Sequence, residues 1–104
     1  MKKNLSGCSV EEAMRVLGGR WRLLIISYLV EGPKRFSDLR RLMPNISQRM
    51  LTLDLRELEL EGLVIRTVYP TSPIKVTYEL SQNGLKTLPV VEVMREFGLW
   101  YKSR

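Results

Sequence analysis

The chain has 104 residues, 44% of them hydrophobic, enough for one compact core and so for a single domain over residues 1–104. Its formal charge of +6 favours a polyanionic partner. With no histidine and one cysteine, neither a metal centre, a cofactor nor acid–base or nucleophilic catalysis is expected, and no intrachain disulfide can form.

Residues 1–7 are polar and read as a frayed start. Met1-Lys2-Lys3-Asn4-Leu5 lacks the long apolar region of a secretory signal. No apolar run approaches the roughly 18 residues of a membrane span, so a cytoplasmic protein without membrane contact is expected. Ser9 and Glu12 have the spacing of a capping box. Val10, Ala13, Met14 and Leu17 then form one apolar helical stripe. Gly18-Gly19 lacks the spacing of a phosphate-binding loop and reads as a turn. Residues 20–31 predict a second helix, apolar nearly all round and therefore central in the core. Gly32-Pro33 stops it, and Lys34-Arg35-Phe36 is a candidate short strand.

Residues 37–61 carry the pattern of a helix-turn-helix. A first helix starts at Ser37 and covers residues 37–43. Pro44-Asn45-Ile46 breaks it, since proline cannot continue a helix and asparagine suits a turn. Ser47 caps a second helix, which runs to about Glu61 and stops at Gly62. Two helices so closely joined suit a major groove, the second one entering it. On that second helix Leu51, Leu55 and Leu58 point inward. Arg49, Leu53, Arg56 and Leu60 point outward.

Residues 63–68 and 75–80 read as strands rich in Val, Ile, Thr and Tyr. Pro70 and Pro73 stiffen the tip between them and keep it out of the ladder. This hairpin, residues 63–80, is a β-wing. A last helix begins near Ser81 and occupies residues 82–101, with Pro89 kinking or dividing it. Its apolar residues wrap around more than one face, and the surplus points to cover by a partner subunit. The fold class expected is α+β, mainly α: a winged helix-turn-helix.

Charge is placed unevenly. Residues 34–49 hold five basic residues against one acid, while residues 50–61 hold one basic residue against four acids. The leading half of the second helix is thus cationic and the trailing half anionic, as suits a helix whose N-terminal end meets phosphates first. Solvated i,i+4 pairs within the helix are the plainer account of the same residues. Gln48, Arg49 and Thr52 are placed to meet base edges: Arg49 can read guanine and Gln48 adenine. Leu53 and Arg56 complete the outward set; Leu53 could meet a thymine methyl or be an ordinary exposed leucine. Arg35, Ser37, Arg40, Arg41 and Ser47 are candidates for phosphate contacts, and Arg66, Thr71, Ser72 and Lys75 for wing contacts. Double-stranded DNA is the expected partner. A winged-helix protein–protein module without DNA contact is the alternative, suggested by the acidic half-helix and the outward leucines.

Several motifs stand in the order of a known family: Gly18-Gly19-Arg20-Trp21, Gly32-Pro33-Lys34-Arg35-Phe36-Ser37-Asp38-Leu39-Arg40, Ile46-Ser47-Gln48-Arg49-Met50-Leu51-Thr52, Leu55-Arg56-Glu57-Leu58-Glu59, Gly62-Leu63-Val64 and Tyr69-Pro70. From Cys8 to about Trp100 the chain resembles the HxlR-type, MarR-like winged-helix regulators. The resemblance implies a homodimeric bacterial transcription regulator on palindromic or near-palindromic operators, with repression the default expectation. It implies dimerisation helices at both ends, here carrying Val10, Met14, Leu88, Val91, Met94, Phe97, Trp100 and Tyr101. Cys8-Ser9-Val10-Glu11 resembles the segment through which several members respond to oxidants or electrophiles, making Cys8 a redox-sensing candidate. Its place before a helix N-terminus, with Lys2 and Lys3 near in sequence, favours a thiolate; a small packed side chain is the other reading. Leu53-Asp54 departs from the long polar residues common in relatives.

Overall fold

The computed structural model describes residues 7–104. The readings made for residues 1–6, including the lysines near Cys8, lie outside the described residues. Among the described residues, α1 (Ser9–Leu17), α2 (Arg22–Leu29), α3 (Phe36–Leu42) and α4 (Gln48–Leu60) precede a hairpin of β1 (Val64–Tyr69) and β2 (Lys75–Leu80). A 3-10 helix, Gly84–Thr87, leads into α5 (Leu88–Lys102). This is the mainly helical α+β architecture of a winged helix-turn-helix.

The core is Ile25, Ile26 and Leu29 of α2, Leu39 of α3, Met43 and Ile46 of the turn, Leu51, Leu55 and Leu58 of α4, and Val64 of β1. The helix-turn-helix therefore owns most of the interior. Neither α1 nor α5 contributes a buried residue. Burial of the α4 leucines follows from their spacing, which keeps them on one side of the helix.

Several boundaries differ from the sequence expectation, the second helix covering Arg22–Leu29 rather than residues 20–31, and four of the differences have a clear local reason. Ser9 is the first helical residue of α1, with Cys8 as cap, and the expected capping box is absent. Both carboxylate oxygens of Glu12 are instead bound by Arg15, at 3.1 and 3.0 Å. The third helix starts at Phe36, one residue before Ser37, because the Asp38 carboxylate accepts the Arg35 backbone N–H at 2.9 Å and closes the first turn early. The expected strand at 34–36 shrinks to one antiparallel bridge between Lys34 and Tyr78; Pro33 has no N–H to extend it, and α3 claims Phe36. The last helix does not start at Ser81. The Ser81 hydroxyl donates to the Gly62 carbonyl at 2.6 Å and accepts the Gly84 N–H at 2.9 Å, opening the 3-10 helix. Pro89 then falls in the first turn of α5, where its missing N–H costs nothing. The proline divides the segment rather than kinking it.

The α4–wing junction is equally local. Gly62 takes φ 79°, a left-handed conformation that glycine adopts without penalty. That turn lets the Leu63 N–H reach the Leu58 carbonyl at 3.0 Å and close the end of α4, and the strand begins at Val64. The wing registers Val64 with Leu80 through to Tyr69 with Lys75.

Candidate nucleic-acid interface

The N-terminal end of α4 is capped as its sequence demands: Ser47 Oγ accepts the Met50 N–H at 3.0 Å. A serine cap of this kind is worth about 1 kcal/mol. With Leu51, Leu55 and Leu58 anchored inward, Gln48, Arg49, Thr52, Leu53 and Arg56 are all exposed. Thr52 donates its hydroxyl hydrogen to the Gln48 carbonyl at 2.9 Å, leaving oxygen lone pairs as its outward chemistry. Arg40 of α3 lies 3.5 Å from the Gln48 amide oxygen, so the two helices bring a phosphate candidate and a base candidate together.

Around that end, Arg35, Ser37, Arg41 and Ser47 are exposed and Arg40 is half-buried. Arg41 forms an ion pair with Asp38. The Arg35 backbone N–H, then Arg41, hold the Asp38 carboxyl below its usual range, outweighing the opposing effect of desolvation. Asp38 thus serves the helix start and tempers one cation of the patch.

The wing carries Arg66, Thr71, Ser72 and Lys75 on exposed positions. Two of them are engaged within the hairpin. Thr71 donates its hydroxyl to the Pro73 carbonyl at 2.7 Å, and the Lys75 ammonium sits 5.2 Å from the centre of the Tyr69 ring.

Two acids of the trailing half pair outside α4 rather than along it. Asp54 is 7% exposed and pairs with Arg22 at 3.2 Å, and Glu61 pairs with Arg15 at 2.8 Å. Spacing along α4 alone does not reveal this pairing, which crosses to the α1–α2 corner. The available signal was the matched seven-residue spacing, 15 to 22 and 54 to 61.

The candidate dimer residues divide. Val10, Met14, Met94, Phe97, Trp100 and Tyr101 are exposed. Val91 packs on the chain's own core, and Leu88 is half-buried. Val93 and Leu99, part of the apolar surplus read on this helix, are exposed as well. Cys8 is exposed at the cap of α1, and its carbonyl accepts the Glu12 N–H at 3.1 Å.

A solvent-facing, capped helix beside a two-stranded wing defines a winged helix-turn-helix of the transcription-regulator class. The model of the HxlR-like helix-turn-helix family matches residues 16–104, and the chain belongs to that family. The uncharacterised HTH-type transcriptional regulator YdeP of Bacillus subtilis is 44% identical over 101 residues, covering 97% of this chain and 79% of YdeP. The crystal structure of the HTH-type regulator ytcD superposes with a TM-score of 0.90 at 43% identity, over 93% of this chain and 99% of that one. The redox regulator HypR in its oxidised form gives a TM-score of 0.85 at 46% identity, over 88% of this chain and 94% of that one. Among the described residues, no helix is long and apolar enough to cross a membrane.

Proposed function

We propose that this transcriptional regulator binds double-stranded DNA sequence-specifically, as a homodimer on a palindromic operator, and represses by occupying it. One observation carries the reading: the cationic leading end of α4 is capped, anchored from behind and open to solvent. Arg49 and Gln48 read base edges there, each good bidentate contact being worth about 1–3 kcal/mol of discrimination. Thr52, Leu53 and Arg56 extend the contact along the groove. Arg35, Ser37, Arg40, Arg41 and Ser47 hold phosphates, while Arg66, Thr71, Ser72 and Lys75 meet the flanking backbone. Such a regulator works in the cytoplasm, beside the chromosome.

The bare faces of α1 and α5 pair two protomers and set the recognition helices about 34–36 Å apart, one turn of duplex. Cys8 gives this assembly an oxidant or electrophile response, a reading supported by likeness to the redox regulator HypR and by the exposure of Cys8. Two Cys8 thiols from the two protomers would lose two protons and two electrons to an oxidant such as diamide, forming one disulfide; a mixed disulfide or an alkyl adduct is the single-thiol route.

Operator selection from random duplexes, with reduced and diamide-treated protein and a Cys8→Ser control, tests the reading. A symmetric site is expected, with affinity altered by diamide only when Cys8 is present. Arg49→Ala should weaken specific binding far more than nonspecific binding; equal losses would make Arg49 a phosphate contact. Lys75→Ala should flatten the salt dependence by about one unit of slope. A protein–protein module is the second reading, resting on Leu53 and Leu60, the latter 73% exposed on the outward side of α4. A salt-sensitive gel shift on the selected operator decides against it.

A further inference from the structure

Asp54 of α4 and Glu61, the residue that caps its C-terminal end, lie two turns apart on one stripe beside the buried leucine face. Each receives an arginine from the corner between α1 and α2. Arg22, the first residue of α2, donates Nε–H to Asp54 Oδ1 at 3.2 Å. Its Nη1 donates to the Val16 carbonyl at 3.0 Å and the Arg15 carbonyl at 3.4 Å, both in the last turn of α1. Arg15 donates Nη1–H to Glu61 Oε2 at 2.8 Å, while its Nε and Nη2 hold Glu12 at 3.1 and 3.0 Å. Two guanidinium groups therefore join the end of α1, the start of α2 and the outer flank of α4.

Leucine packing and this pairing constrain α4 differently. Hydrophobic contact is non-directional and tolerates a helix rolling about its own axis. A guanidinium N–H bonded to a carboxylate oxygen constrains it more closely, because a hydrogen bond is directional, and here two such bonds act two turns apart. Side chains reach about 5–6 Å from a helix axis, so a roll of about 20° moves a tip by about 2 Å, enough to break a bidentate base contact.

We propose that the pairs Arg22–Asp54 and Arg15–Glu61 form a clamp that fixes the roll of α4 and thereby sets its base discrimination. These four are positioning residues, not DNA contacts. The clamp rests on reading α4 as the DNA-reading helix, and the test separates the two. Wild type, Asp54→Asn, Glu61→Gln, Arg22→Gln and the Arg22→Gln/Asp54→Asn double variant are each measured on the selected operator and on a scrambled duplex. The ratio of specific to nonspecific affinity should fall about tenfold in Asp54→Asn and less in Glu61→Gln. Nonspecific affinity should hold or rise in these two carboxylate variants, because a negative charge is lost and no phosphate contact is removed. The Arg22 and Asp54 effects on the ratio should be non-additive.

An unchanged ratio in both carboxylate variants, with wild type still discriminating, overturns the clamp alone. So does an equal fall of specific and nonspecific binding. A wild type that enriches no sequence overturns the DNA-reading assignment and the clamp with it. If Asp54→Asn melts below the assay temperature by circular dichroism, the ratio in Glu61→Gln decides by itself, since its half-buried carboxylate lies at the open end of the stripe.

Discussion

Two helices of this chain invert the usual relation between composition and burial. α4 holds Asp54, Glu57, Glu59 and two arginines among its 13 residues, yet Leu51, Asp54, Leu55 and Leu58 are all buried. α5 has 15 residues with Val93, Met94, Phe97, Leu99, Trp100 and Tyr101 among them, yet buries none. The charged helix is completed by its own chain, through leucines on its inner face and, beside them, arginines from the α1–α2 corner. The apolar helix is covered only in part, and its aromatic residues lie against one another: Phe97 is 5.6 Å from Trp100 in a tilted arrangement and 6.0 Å from Tyr101 in a stacked one, centre to centre. Apolar surface of that extent is ordinarily covered. The difference separates a helix finished within the protomer from one that, in the proposed dimer, a second copy finishes.

The largest effect is expected from Phe97→Glu with Trp100→Glu. Charge placed in the proposed interface should convert dimer to monomer in sedimentation, with helical circular dichroism retained because both rings lie outside the core. A dimer that survives would move the interface elsewhere. Leu55→Ala addresses the other helix and should cost about 2–5 kcal/mol in urea unfolding. Ser47→Ala should cost about 1 kcal/mol and fray the base-reading end of α4; an unchanged midpoint would mean the cap is redundant.

The smallest effect concerns the helix that leads into α4. Asp38 has a folded pKa below its ordinary value, through the Arg35 N–H and then Arg41. Its contribution is therefore complete above the unfolded pKa and drains away as pH falls through the folded one. Asp38→Asn should be less stable than the parent at neutral pH, and the gap should close in acid, below about pH 4. A gap independent of pH would assign the loss to something other than this carboxylate.

Elements with local causes were legible in the residues themselves. Ser47, Pro44 and Gly62 bound the turn and α4, and period-3.6 leucines choose its inner face. Proline and glycine fix backbone freedom and serine supplies an acceptor wherever the chain carries them, so these features could be read without coordinates. Asp38 shows the limit even there: one carboxylate moved the start of α3 from Ser37 to Phe36. Only packing in three dimensions assigned Asp54 and Glu61 to Arg22 and Arg15, and turned Val91 toward its own core while Val93 faces out. Ion pairs between helices and the division of an apolar helix between two neighbours depend on distances set by packing, which residue spacing along one element does not encode.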